Sequence, residues 1–406
     1  MQDHERCSLE EFQGRWTRVQ AYLKDEGLAA LFAYSQPPEH KWSQIGHVGY
    51  LSGFDNYDRL VETAVVIPAT GHPVVLLAGM PFMLEQMLGP NRIDDIRLAK
   101  AVDPNAVAPT GGKDSGPPSF AAATLAVLEE NRIDSGGIGI VGVNNMPVPL
   151  FEALQQELGD RLIRIPDIIA EHRSVKSENE LQLMRRAAEL SDLGFKTMLE
   201  VAKPGMSGIE ILAEMERAVR REGADHAMYW MASGPPPDWA NAHLDMKPHL
   251  RVLEEGDLMA SCSYVLYKGY WCHGQRTGYM RKEVPELEKL CAMAREAQDE
   301  GLEVIKPGVP VGRIGQAISQ AGDKRGLPIQ GGRVGHGMGM DYAEMPRLSQ
   351  DNDQPLEAGM TFVVHATFEL PGSGAMFVPL GDLCHVTSDG VEFLMKFQRT
   401  PFVAGQ

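Results

Sequence analysis

Two hydrophobic rhythms alternate along the first 165 residues. One has helical spacing; the other is a short unbroken run. In LEEFQGRWTRVQAYLKDEG (9–27), Phe12, Trp16, Val19 and Leu23 fall on one stripe and Gly27 is a stop signal. ALFAYS (30–35) is a continuous apolar run of strand length, and VGYLSGF (48–54), ETAVVIP (62–68), PVVLLAG (73–79) and GGIGIVG (136–142) continue the strand-like series. Helix and strand in alternation predict a small α/β domain over residues 1–165. The polar, Pro/Gly-rich stretch 103–118 reads as an internal loop, because strands resume beyond it.

From Ser177 the pattern changes to long amphipathic helices. Ser177-Glu-Asn-Glu180 has the form of a capping box, with Ser at the N-cap and Glu three residues on. The helix it starts runs to about Ala202 and stops at Lys203-Pro204-Gly205. The same punctuation recurs at Lys306-Pro307-Gly308, 306 − 203 = 103 residues later. Each KPG follows one helix (178–202, 285–305) and precedes another (207–222, 311–325). This repeat predicts a domain over 166–406 built of two related halves, with an active site between them.

Composition narrows the class. The chain has 406 residues, 43% hydrophobic and 23% charged, as in globular proteins with proper cores. No run approaches 18 apolar residues, so no membrane span is expected. MQDHERCSLEEF is charged and lacks an apolar core, so it does not read as a signal peptide, and a cytoplasmic location is expected. A net charge of −17 disfavours nucleic acid as a partner. Cys7, Cys262, Cys272, Cys291 and Cys384 form no CxxC pair and are expected as reduced, mostly buried thiols.

Several segments resemble the creatinase/aminopeptidase P/prolidase group, the M24 peptidases of pita-bread fold. They are Arg173-Ser-Val-Lys176-Ser-Glu-Asn-Glu180, Gly256-Asp257, Gly269-Tyr270, Arg276-Thr277, GHGMGMDYAEMPR (335–347), LEAGMTFVV (356–364) and VTSDGVEFL (386–394). VGYLSGF is the clearest trace of a creatinase-type N-terminal domain. The resemblance implies an α+β protein: a pita-bread C-terminal domain with pseudo-twofold halves and a smaller α/β domain before it. It also implies a homodimer, with N-domains near the partner's site.

Carried over position by position, the resemblance places the family's two metal-binding aspartates at Cys262 and His273. Its histidine is retained as His336, and its two glutamates fall at His365 and Gly381. A further substrate-contacting histidine falls at Ala343, and an upstream one is retained as His243. Two close cations need bridging anionic oxygens, which neutral imidazole does not supply. A dinuclear centre and ordinary prolidase chemistry are therefore not expected.

Two readings of the replaced set stay open. In one, no metal is required, as in creatinase, and His243 is general base and acid for hydrolysis of a C–N bond in a small, carboxylate-bearing molecule. His336, Gln275 and His273 would polarise the carbonyl, and Arg347 would hold the carboxylate. His365 would line the substrate site, and the resemblance to creatinase implies that Arg59 of the N-terminal domain reaches a neighbouring subunit's site. In the other, His273, His336 and His365 hold one divalent transition metal, as in a lyase or oxygenase. A non-catalytic small-molecule binding module and an Xaa-Pro peptidase are the remaining alternatives. Glu369 and Asp382 are the carboxylates nearest in sequence to the replaced positions.

Overall fold

The computed structural model describes residues 7–36, 45–54, 62–79, 91–101, 116–235, 250–330, 332, 334–369 and 376–406. Arg59 and His243 lie outside these residues. The chain divides into two compact units, residues 5–173 and 174–406, so the short helix Ile168–Ser174 goes almost wholly with the first.

The first unit is a six-stranded sheet in the order β4-β3-β2-β1-β5-β6: β1 (Leu28–Ser35), β2 (Thr63–Pro68), β3 (Val74–Leu77), β4 (Ile96–Leu98), β5 (Gly137–Val141) and β6 (Leu162–Arg164). All eight residues of β1 are buried. A strand covered on both faces has no polar side to show, hence its unbroken apolar run. Helices α1 (Leu9–Asp25), α2 (Gly46–Ser52), α3 (Phe120–Glu130) and α4 (Val148–Leu158) accompany the sheet. Phe120 and Leu150 of the latter two pack into the core with Phe32 of β1.

Two expectations need correction here. VGYLSGF is not a strand. Its first residues close α2, and Gly53, at φ +75°, ends that helix by donating to the Gly49 carbonyl. On α1, Arg15 joins Phe12, Val19 and Leu23 in the interior, while Trp16 is only half-buried. Arg15 donates to the Tyr50 carbonyl at 2.8 Å, and its guanidinium lies 4.2 Å from the centre of the Tyr50 ring.

The second unit shows its repeat in detail. Helices α6 (Glu178–Val201) and α7 (Gly208–Arg221) in the first half correspond to α8 (Pro285–Leu302) and α9 (Gly312–Lys324) in the second; α5 is the short helix Ile168–Ser174. The Ser177 capping box is formed. Gly205 and Gly308 both take positive φ, and their amides donate to Leu253 and Leu356 at 2.8 Å. The acceptors keep the spacing of the donors: 308 − 205 = 103 and 356 − 253 = 103. Gly256 and Gly359, again 103 apart, both take positive φ.

The strands of this unit are β7 (His226–Gly234), β8 (Leu258–Tyr267), β9 (Tyr270–Met280), β10 (Gly335–Gly337), β11 (Thr361–Val364), β12 (Phe368–Glu369), β13 (Met376–Phe377), β14 (Leu380–Val386), β15 (Val391–Phe393) and β16 (Phe402–Ala404). The main sheet runs β10-β11-β14-β9-β8-β7. β9 and β14 meet at its centre, with β8 and β11 outside them and β7 and β10 outermost. The fold is thus a mixed α/β one with two large sheets and a duplicated C-terminal unit. Among the described residues no helix is long and apolar enough to cross a membrane.

Candidate functional site

Side chains alternate across a strand, so Cys262 and Tyr264 share one face of β8. Antiparallel pairing sets Gln275 opposite Cys262 and His273 opposite Tyr264, and Gly381 of β14 lies opposite Gln275. His336 pairs with Val363, and His365 follows directly on β11. Residues far apart in sequence thereby meet on one face of the sheet.

Three imidazoles form the core of this cluster. The ring centres of His273 and His336 each lie 5.3 Å from that of His365, both edge to face. A Cβ at Gly381 would lie 3.2 Å from the His365 Cβ, so glycine there leaves room for the third ring. His273 Nδ1 is 2.8 Å from the Ser263 carbonyl and His336 Nδ1 is 2.9 Å from the Gly337 carbonyl. A carbonyl only accepts, so Nδ1 carries the hydrogen in both rings. When neutral, each ring has its lone pair on Nε2.

Phenols complete the wall. Tyr264 stacks on His273, and Tyr342 touches Tyr264 at 5.3 Å, His273 at 5.4 Å and His336 at 5.0 Å. Burial first, then the neighbouring Cys262 and Tyr342, push the Tyr264 phenol far above its ordinary pKa, so it stays protonated. Sequence reasoning missed both tyrosines. The signal for Tyr264 was its place two residues beyond Cys262, on the same strand face. Tyr342 carried no such signal, because it lies on a turn.

The other expected site residues fall out differently. Gln275 is buried, but its amide is a strut: Oε1 accepts from Cys262 Sγ at 3.2 Å and Nε2 donates to the Val378 carbonyl. Its amide thus spans two protein groups instead of presenting itself to a substrate carbonyl. Arg347 is exposed just beyond cis-Pro346, whereas the rings are buried. The carboxylates are held apart from the rings. Asp382 accepts from Arg276 and Arg399, each at 2.8 Å, and Glu369 lies on the separate β12–β13 pair. Among the described residues no group of three or more His, Cys, Asp and Glu side chains is arranged to hold a metal ion. His273, His336 and His365, the expected single-ion set, come together as packed rings.

Comparison with known proteins places this architecture. Residues 182–388 match the family described as "Metallopeptidase family M24". The chain therefore belongs to metallopeptidase family M24, whose members include hydrolases named as peptidases. It is 27% identical over 251 residues to the "Putative dipeptidase YkvY" of Bacillus subtilis (strain 168), covering 59% of this chain and 66% of that relative. It is 28% identical over 274 residues to the "Uncharacterized peptidase YqhT" of the same strain, covering 66% and 76%. The match to the first thus spans slightly less than two thirds of that protein. The X-Pro aminopeptidase structure from Thermotoga maritima MSB8 superposes with a TM-score of 0.76 at 22% identity, over 96% of this chain and 99% of that one. That likeness is one of fold.

Proposed function

We propose that this chain hydrolyses the C–N bond of a small amide by imidazole acid–base chemistry rather than through paired metal ions. The observation that carries the reading is the pair of tautomer-fixed rings, His273 and His336, with Nδ1–H committed to backbone carbonyls. Each Nε2 is then an acceptor able to take a proton from water as it attacks the carbonyl carbon. The same proton can pass to the departing nitrogen as the C–N bond breaks, leaving a carboxylic acid and an amine. His243, the residue expected as general base from the sequence, lies outside the described residues.

A metallopeptidase family implies metal ions, and the donor set bears on whether a pair would fit. Two adjacent divalent ions require bridging carboxylates. The described cluster offers imidazoles, phenols, a thiol and an amide, and Asp382 is engaged by two arginines. These residues do not fit a bridged pair. The name of the YkvY relative favours a dipeptide as substrate over a creatine-like molecule, and Xaa-Pro peptidase activity is the second reading.

The test is amine release from glycyl-proline and from a series of small N-acyl amino acids, before and after chelation. Release should survive chelation and fall by roughly 10²-fold or more in His336→Ala, the usual loss of an acid–base group. No release from any substrate, or loss on chelation that two equivalents of metal restore, would overturn the reading.

A further inference from the structure

Tyr342 touches four rings of the site among the described residues. Its ring centre lies 5.0 Å from His336, 5.3 Å from Tyr264, 5.4 Å from His273 and 6.1 Å from Trp271. It is buried, and its phenol is hydrogen-bonded with that of Tyr264. A ring in contact with four others fills the middle of the cluster. It covers the side of His273 and of His336 that it touches.

Tyr342 is not on a regular strand, so something else has to fix it. Residues 338–345 form a turn between β10 and cis-Pro346. Lys176, just before α6, reaches into this turn and pairs with Glu344 Oε1 at 2.7 Å, with both side chains almost fully buried. The other Glu344 oxygen accepts from the Asp341 amide, and the Glu344 amide donates to the Gly337 carbonyl. The pair lies directly on Gly339, where a Cβ would strike the Glu344 carboxylate and the Lys176 chain. Lys176 is itself anchored, its amide donating to the Gly359 carbonyl at 2.9 Å. The two residues flanking Tyr342 that bond into this network, Asp341 and Glu344, leave its backbone little freedom.

We propose that Tyr342 is a specificity-determining residue that closes the imidazole site to all but small molecules, and that Lys176 and Glu344 are the positioning pair that holds it there. The consequence for substrate size rests on the hydrolase reading above; the closure itself does not.

The test therefore avoids turnover. Diethyl pyrocarbonate ethoxycarbonylates unprotonated imidazole, releasing carbon dioxide and ethanol, and peptide masses resolve the rate at each histidine. His385, on β14 and paired with Glu392 instead of the ring cluster, serves as reference. Tyr342→Ala should raise the rates at His273 and His336 at least tenfold relative to His385, while Tyr342→Phe, which keeps the ring, stays within twofold of the wild type. Breaking the pair on one side risks unfolding, so the paired substitution K176M/E344M is compared with it, and it should reproduce the selective rise. Unchanged rates in Tyr342→Ala, or a rise shared equally by His385, would overturn the assignment. Failure of this test leaves the hydrolase reading standing, and absence of turnover leaves the closure standing.

Discussion

Tyr264 stacks on His273 across the β8–β9 pair, with ring centres 4.7 Å apart and planes 21° from parallel. The strand register makes them direct partners, so the stack is fixed by the sheet and not by loops. Removing the ring leaves a cavity behind the histidine. Tyr264→Ala should cost about 3–5 kcal/mol of stability, the range for large aromatic truncations in a core. Tyr264→Phe keeps the stack and should cost about 1 kcal/mol, the size of a lost buried hydrogen bond. Urea unfolding of both variants measures the difference, and equal costs would show that the ring contributes nothing.

Asp382 is the only carboxylate bonded to the fully buried Arg276 among the described residues, and it also holds Arg399. Asp382→Ala strands a buried guanidinium. A loss of about 3–5 kcal/mol is expected, because an uncompensated buried charge costs more than the pair itself contributes. Replacing Arg276 and Asp382 together by apolar residues should be far milder than the sum of the single changes, and a double-mutant cycle reads this directly. Additive single costs would contradict the pairing.

Asp192 of α6 accepts from the backbone amides of Lys396 and Phe397, yet burial, the largest influence, raises its pKa above the ordinary carboxylate value. The folded state thus holds a proton more tightly than the unfolded chain. Its contribution to stability is full below the unfolded pKa of about 4 and is lost as pH rises through the folded value. The wild type should lose stability relative to Asp192→Asn as pH is raised from about 3.5 to about 7. A difference that does not change with pH would show that this carboxyl is unperturbed.

The five cysteines are buried thiols. Burial pushes the Cys291 thiol up to about 12 and raises Cys272 and Cys384 as well. At pH 8 these three should resist a thiol-exchange reagent such as dithionitrobenzoate in the native protein, and all five cysteines should react in denaturant. Fast native reaction at Cys272 or Cys384 would contradict the packing.

Much of the fold could be read in the sequence, because local chemistry and global architecture agree there. The capping box at Ser177 and the two KPG stops needed only their own residues to declare themselves. Their 103-residue repeat reappears as identical backbone hydrogen bonds at Gly205 and Gly308. Where the reading erred, a distant partner decided the outcome. Arg15 is inside because Tyr50 offers it a carbonyl and a ring face; Gln275 is a strut because Val378 lies across from it. The three imidazoles could be aligned from the family resemblance, but the ring that crowds them could not. Tyr342 reaches the cluster from a turn whose geometry depends on Lys176, 342 − 176 = 166 residues earlier in the chain.

The proposed function makes imidazoles, with no bridging carboxylates among the described residues, the working face of this site. It is tested most directly by equilibrium dialysis against manganese, cobalt and zinc, with bound metal counted per chain in the wild type and in His336→Ala. Fewer than two ions per chain, in every metal, is the expected result. Two ions per chain, both lost in His336→Ala, would contradict the account.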